Sequence, residues 1–326
     1  MHKGTNVFSE DSNFCLVTGA AGFIGSRLTQ TLLTQGRRVI AVDCFLADSY
    51  PPKIKINRWN SLEMEESDQL VKLELDLRTD NFARLGDFSI DSIFNLAAMP
   101  GLSSDWGKFA PYYDCNISAL NRLLEYARTL ELKSFVHAST SSVYGKSAIG
   151  MENQDLKPTS PYGVSKLAAE KLLLAYLEWF STPVKILRYF SVYGPFQRPD
   201  MAYSKIINCI SQHKQFSIHG DGTQRRSNTY IDDVVEATIL AESQAVPGDV
   251  MNICGNETIS LNEAISLIEE FCGKALVSNR VEGRRGDQRD TSGSNVFAIE
   301  RLGWKPRVRF REGIEIQVRA SLEQGF

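Results

Sequence analysis

The sequence predicts an α/β protein in which a doubly wound parallel sheet is followed by a smaller C-terminal α/β substrate-binding lobe. Three observations lead there. Through the first half, short β-branched or apolar runs alternate with segments whose apolar residues recur every three or four positions. Glycines are spaced three apart directly after the first such run. The 326 residues are enough for two domains around a substantial core.

Taken in order, the candidate strands are 14–18, 38–42, 71–75, 92–96, 134–138 and 184–188, with helices expected near 23–35, 111–131 and 162–180. Residues 46–70 read as a surface loop with an ill-formed helix, because Pro51-Pro52 and mixed charge interrupt the pattern. Past residue 190 a Gly/Pro-rich stretch leads to a helix near 202–213, a short strand at 216–218 and the turn HGDGTQ. Residues 231–244 and 250–253 read as one more helix and strand rejoining the first sheet, and helices near 261–272 and 311–324 complete the lobe. The expected division is therefore 1–190 with about 226–254 as a dinucleotide-binding domain, and 191–225 with 255–326 as the second lobe.

Composition excludes several classes of function. Thirty-six basic against 39 acidic side chains leave a net charge of −3, which offers nothing to attract a nucleic acid. The six cysteines form no CxxC pair, so neither zinc spacing nor a disulfide framework is present, no metal is expected, and a reducing cytoplasm fits best. No apolar run approaches the roughly 18 residues of a membrane span.

The segment TGAAGFIG places Gly19, Gly22 and Gly25, with Phe23 and Ile24 between them, across the first strand-to-helix turn. Glycines there allow the tight turn and let backbone approach a pyrophosphate, while the helix N-terminus presents unpaired N–H groups to the anion. Asp43 ends the second strand, where a carboxylate accepts from the two hydroxyls of an adenosine ribose and repels a 2′-phosphate, so NAD is expected over NADP. Arg37 and Arg38 just upstream would suit a 2′-phosphate and so NADP, but read first as a solvated turn after the first helix. Asp76-Leu77 would border the adenine, and Asn95-Leu96-Ala97-Ala98 would lie beneath the cofactor; both motifs fit a purely structural role equally well.

Tyr162 and Lys166 stand at i and i+4 at the start of a helix, which puts them on one face. An ammonium beside the phenol, together with a positive nicotinamide, is expected to lower the tyrosine pKa and make it a base near neutral pH. His137 is the nearest rival base, but it falls within a strand expected to be buried. The helix carrying Tyr162 also holds Leu167, Leu172, Leu173, Leu174, Leu177 and Trp179, more apolar positions than one buried stripe needs. A homodimer is therefore expected, with the helices near 111–131 and 162–180 forming a four-helix bundle.

With these residues in order, the chain resembles the extended short-chain dehydrogenases/reductases that act on nucleotide sugars. TGAAGFIG, Asp43, Asp76, NLAA, Asn116, STSSVYG, SPYGVSK, RYFSVYGP, RPDMAY, GDGTQRRSNTYIDDV and RRGD fall in family order along nearly the whole chain. The resemblance implies a Rossmann-type fold and bound NAD, with Asn116 among the cofactor-side positions. It further implies that Thr140 hydrogen-bonds the sugar hydroxyl that Tyr162 deprotonates, and that Lys166 also holds the nicotinamide ribose. Arg226 and Arg284 look like its diphosphate-binding arginines and Asp287 like the acceptor for the second ribose. Without the family, the same arginines fit rim charges. Phe216 and Ile218 would flank the uracil, and equally fit core positions of an edge strand. Departures stand at Asn95, where His often precedes Leu-Ala-Ala, at Ser191, where many members have Asn, and at Ser294, where Asp often follows the RxGD turn.

The family's dehydratases carry Asp-Glu after the threonine and its uronic-acid decarboxylases keep the Glu, whereas this chain has Ser141 and Ser142. The resemblance thus implies 4-epimerisation of a UDP-sugar through a 4-keto sugar. The stretches 97–106 and 191–203 are similar to the uronic-acid 4-epimerases, which puts Thr140, Ser141, Ser191 and Arg198 around a C6 carboxylate and makes UDP-glucuronate the expected substrate. The alternatives are a UDP-glucose or UDP-N-acetylglucosamine 4-epimerase, a dehydratase or decarboxylase, and a non-catalytic NAD-sensing regulator.

Overall fold

The computed structural model describes residues 13–47, 50–62, 68–101, 105–283 and 289–323. Seven parallel strands form the central sheet, in the spatial order Leu70–Glu74, Arg38–Asp43, Phe14–Thr18, Ile90–Asn95, Ser134–Thr140, Val184–Tyr189, Val250–Ile253. Numbered within this sheet, the order is 3-2-1-4-5-6-7, which reverses direction between the first and fourth strands and opens a crevice there at their C-terminal ends. The strands Phe14–Thr18 and Val184–Tyr189 are buried along their whole length, as near-continuous apolar runs require when helices cover both faces. One apolar layer, with Leu28, Leu32, Val234, Val235 and Ala241, lies on one face, and a second, with Leu120, Leu123, Leu124, Ala169 and Leu173, lies on the other.

Each expected strand forms, with ends displaced by a residue or two. The helix expected over 111–131 is broken into Ala110–Tyr113, a π turn at Asp114–Ser118 and Ala119–Ala127, and the wide turn holds Asn116. Within 46–70, read as a surface loop with an ill-formed helix, residues 52–60 form a regular helix that starts on Pro52, since proline at the first helical position loses no hydrogen bond. The strand Val250–Ile253 pairs with Val184–Tyr189 and so extends the central sheet.

Beyond it, a smaller sheet joins Thr258–Ser260, Arg225–Tyr230, Asp290–Gly293 and Ser147–Gly150, and Ser191–Tyr193 pairs with Arg225–Tyr230. Ser147–Gly150 comes from the first half of the chain and Asp290–Gly293 from the end, so this sheet ties the two halves together. A two-stranded ribbon, Phe216–His219 with Ser278–Val281, is parallel. No described helix is long and apolar enough to cross a membrane.

Candidate active site

At the crevice, Gly19 has φ +70°, and a Cβ there would stand 2.8 Å from the Ala97 nitrogen; a Cβ on Gly25 would stand 2.1 Å from the Gly19 oxygen. Only glycine lets the turn fold onto both its own helix and the end of the fourth strand. The helix Phe23–Thr34 begins on Gly22 without a side-chain cap, leaving its first N–H groups for an anion. Gly19, Gly22, Phe23, Ile24 and Gly25 all line a cleft of about 1080 Å³, as do Asp43, Asp76, Leu77, Leu96, Ala97 and Ala98.

Asp43 is buried, with Oδ2 accepting from the Ala21 N–H at 3.0 Å and Oδ1 from the Phe45 N–H at 2.9 Å. Burial pushes its carboxyl up, opposed by the Phe45 N–H and the Lys55 charge. Asp76 is held below the usual carboxylate range by Arg78, 2.6 Å away. Arg37 and Arg38 are not lining residues. Arg37 is no solvated turn residue: it pairs with Glu242 at 2.8 Å and donates to Cys15 Sγ, while Arg38 lies 4.0 Å over the Phe14 ring.

Thr140 ends the fifth strand and caps the turn that follows, accepting from the Ser142 N–H at 3.1 Å. The helix Pro161–Phe180 is started by Ser160, whose hydroxyl accepts from the Gly163 N–H at 3.1 Å, with Pro161 at its first position. Gly163 is needed for a further reason, because a Cβ would lie 2.6 Å from the Ser142 oxygen. The helix start therefore presses against the serine turn, and the Tyr162 hydroxyl hydrogen-bonds Thr140. Tyr162, Lys166, Thr140, Ser141 and Ser142 all line the cleft.

One expectation fails here. Burial pushes the Tyr162 phenol up, and the groups that pull it down are Arg198 and Thr140, not Lys166. The Lys166 chain shares the tyrosine's helix face but reaches one layer deeper, where Nζ lies 3.1 Å from His137 Nε2. Burial lowers the Lys166 pKa to about 8, and Glu170 opposes that shift.

On the far side, Ser191, Arg198, Phe216 and Arg226 line the cleft. Arg198 is already paired, its Nε and Nη2 donating to Asp200 at 3.0 and 2.8 Å. Arg226 is half-buried and donates to the Arg225 carbonyl at 2.8 Å. Ile218 is not a cleft residue: it is buried in the core, while Phe216, two residues earlier on the same strand face, packs against that core and also lines the cleft. Asn116 is also off the cleft wall. It is buried below, accepting from the Met99 N–H at 2.7 Å and donating to Ser165 Oγ at 2.9 Å, so it braces the loop after the fourth strand. Arg284 and Asp287 lie outside the described residues.

The sequence reading missed Tyr50, Lys55 and Tyr112, which line the cleft. Pro51-Pro52 was the available signal for the first two, read as a helix start instead of a loop. Tyr112, whose ring centroid is 6.3 Å from that of Tyr162, had none.

The model of the Epimerase family, described as the NAD dependent epimerase/dehydratase family, matches residues 15–254. The chain belongs to that family. The NAD dependence in the family's description agrees with the glycine cradle and Asp43. Among epimerase/dehydratase relatives, a Bacillus subtilis protein named as an uncharacterized UDP-glucose epimerase, YtcB, is 41% identical over 316 residues, covering 95% of this chain and 99% of its own. A UDP-glucuronate 4-epimerase of Thermodesulfobacterium geofontis is 34% identical over 318 residues, covering 95% and 96%. The crystal structure of a UDP-glucuronic acid 4-epimerase from Bacillus cereus with UDP-glucuronic acid and NAD matches with a TM-score of 0.90 at 38% identity, over 95% of this chain and 99% of that one.

Proposed function

We propose that this enzyme interconverts UDP-glucuronate and UDP-galacturonate by NAD-dependent 4-epimerisation. The observation that carries the reading is that one cleft gathers Tyr162, Arg198, Thr140, Ser141, Ser142 and Ser191 on its wall; the Arg198 charge also pulls the Tyr162 phenol down. A guanidinium ringed by hydroxyls suits a carboxylate at C6.

Tyr162 takes the proton from the sugar's 4-hydroxyl and later returns it, with Thr140 holding that hydroxyl within reach. Bound NAD supplies reversible acceptance of the C4 hydride, which allows a 4-keto sugar to form and be reduced again on its other face. Gly19, Gly22, Gly25 and Asp43 would hold the adenosine half of NAD, Asp76 and Leu77 would border its adenine, and Leu96 to Ala98 and Lys166 would serve its nicotinamide end. Arg226, with Arg284 and Asp287 of the RRGD segment, takes the diphosphate and second ribose, and Phe216 the uracil. Ser141 and Ser142 carry no acid that could drive elimination from the keto sugar. Arg198 also protects the intermediate, because a 4-keto uronate is a β-keto acid and a carboxylate held still does not reach the geometry that loses carbon dioxide.

The test is incubation with UDP-glucuronate, UDP-glucose and UDP-N-acetylglucosamine, with products read by NMR. UDP-galacturonate should form without added NADH; epimerisation of the neutral sugars alone would refute the uronate assignment. We further propose a cytoplasmic homodimer joined through the helices Ala119–Ala127 and Pro161–Phe180. Its support is that Trp179 is 80% exposed at the end of the second helix, beside Phe180 and Arg128, and that all six cysteines are free. A monomeric mass in sedimentation at micromolar concentration would refute the dimer.

A further inference from the structure

Beneath the cleft runs a chain of polar side chains that the reaction above leaves unexplained. Thr18, Asn95, His137 and Lys166 are 0, 2, 1 and 2% exposed, so water cannot settle their hydrogen bonds and each proton must be placed among them. Lys166 Nζ lies 3.1 Å from His137 Nε2, and the Asn95 side chain lies 2.9 Å from His137 Nδ1. On its other side Asn95 meets Thr18 Oγ1 at 2.7 Å, and Thr18 Oγ1 accepts from the Ala97 N–H at 3.2 Å. Asn95 and His137 face each other in register on adjacent parallel strands, which is why the contact forms.

A neutral imidazole carries one proton. If Lys166 is charged it donates to Nε2, the ring proton sits on Nδ1, and Asn95 must turn its carbonyl oxygen to the ring and its NH2 to Thr18. If Lys166 is neutral its lone pair accepts from Nε2–H, Nδ1 accepts from the Asn95 NH2, and Thr18 donates to Asn95 Oδ1. The amide orientation in the structure, with Asn95 Nδ2 toward the ring and Oδ1 toward Thr18, is that of the second arrangement. The two differ by one proton on Lys166, a change of ring tautomer and a flip of the amide.

We propose that His137 is a positioning residue for Lys166, a tautomeric acceptor that binds one of its three N–H groups when it is charged and aims the other two into the cleft. The groups around the pair leave no other candidate among the described residues. Glu170, one helical turn on, is occupied by Arg188 at 2.7 Å and by Ser139. Tyr162 is bound to Thr140. Burial and the Lys166 charge both hold the His137 pKa well below its ordinary value, so the ring changes tautomer without becoming a cation.

The inference rests on assigning Lys166 to the cofactor, but its test needs no substrate, so its failure is distinguishable from a failure of the epimerase assignment. The protein has four histidines, and nitrogen-15 NMR of the labelled imidazoles reports which ring nitrogen carries the proton. The His137 signals, identified by their loss in His137→Gln, should pass from the Nδ1–H to the Nε2–H form around pH 8, where Lys166 loses its proton. Lys166→Met should abolish the change. Lysine side-chain NMR should show the Lys166 midpoint lower by about one pH unit or more in His137→Phe, where a buried ammonium loses its acceptor. It should return close to the wild-type midpoint in His137→Gln, whose carbonyl oxygen takes the place of Nε2. One tautomer throughout pH 6.5–9.5, or a change that survives in Lys166→Met, overturns the proposal. So does an unchanged midpoint in a folded His137→Phe protein. If that variant does not fold, the wild-type titration alone decides.

Discussion

Replacing Arg198 by alanine separates recognition of a sugar carboxylate from recognition of the diphosphate. Two of its nitrogens are already committed to Asp200, at 3.0 and 2.8 Å, and Nη1 has no partner among the described residues. A uronate therefore gains one charge-assisted hydrogen bond from this side chain, worth about 1.5–3 kcal/mol, or roughly 10- to 150-fold in affinity. Asp200 already offsets part of the positive charge, which places the hydrogen-bond contribution toward the lower end. Removing Arg198 also exposes that carboxylate to the substrate, a repulsion that only a charged sugar feels. Dissociation constants for UDP-glucuronate and UDP-glucose should thus diverge: the first weakens by about tenfold or more, and the second changes by about twofold or less. Adding Asp200→Asn should recover the part due to repulsion. A UDP-pentose by-product should rise in Arg198→Ala, because a freed carboxylate can turn to the geometry that expels carbon dioxide. Equal losses for both nucleotide sugars with no pentose would show that Arg198 serves the phosphates, and the carboxylate argument would fall.

Tyr162→Phe removes only the proton acceptor; turnover should drop by roughly three orders of magnitude or more while NAD binding, read by fluorescence, and the circular dichroism spectrum stay native. Glu170→Ala strands the buried Arg188 guanidinium, paired with it at 2.7 Å, and should cost about 3–5 kcal/mol in urea unfolding. A loss under about 1 kcal/mol would mean that water enters the site. Lys166 ionises near pH 8 when folded and near 10.5 when unfolded, so between these values the unfolded chain binds more protons and stability rises with pH. Lys166→Met should accordingly raise the melting temperature at pH 7, by an amount that shrinks as pH climbs from 8 toward 10.5; a constant difference would exclude proton linkage as its cause.

The central sheet was legible because its determinants are local. Alternation of apolar runs with amphipathic segments placed the strands to within a residue or two, and glycine at positions 19, 22 and 25 announced a cradle whose need for glycine is visible in the 2.1 Å approach at Gly25. Ser160, Pro161 and Gly163 likewise carry in four residues the cap, the first helical position and the close approach that set Tyr162 beside Thr140. The helix at Pro52–Asn60 is legible only as an ill-formed one, because its start is proline-rich and the burial of Lys55 and Arg58 on it depends on distant partners such as the Phe196 carbonyl that Arg58 binds.

By itself, then, the order of residues determined the parallel sheet, the dinucleotide cradle and the tyrosine at its mouth, since each depends on backbone geometry and spacing within one short stretch. Tertiary structure alone decided which charges are free to act. That Arg37 turns to Glu242, that Ile218 sinks into the core and that Lys166 reaches His137 instead of Tyr162 all depend on partners brought from distant positions. Hydrogen bonds and ion pairs are fixed by contact over a few ångströms, and contact between residues far apart in the chain exists only after folding.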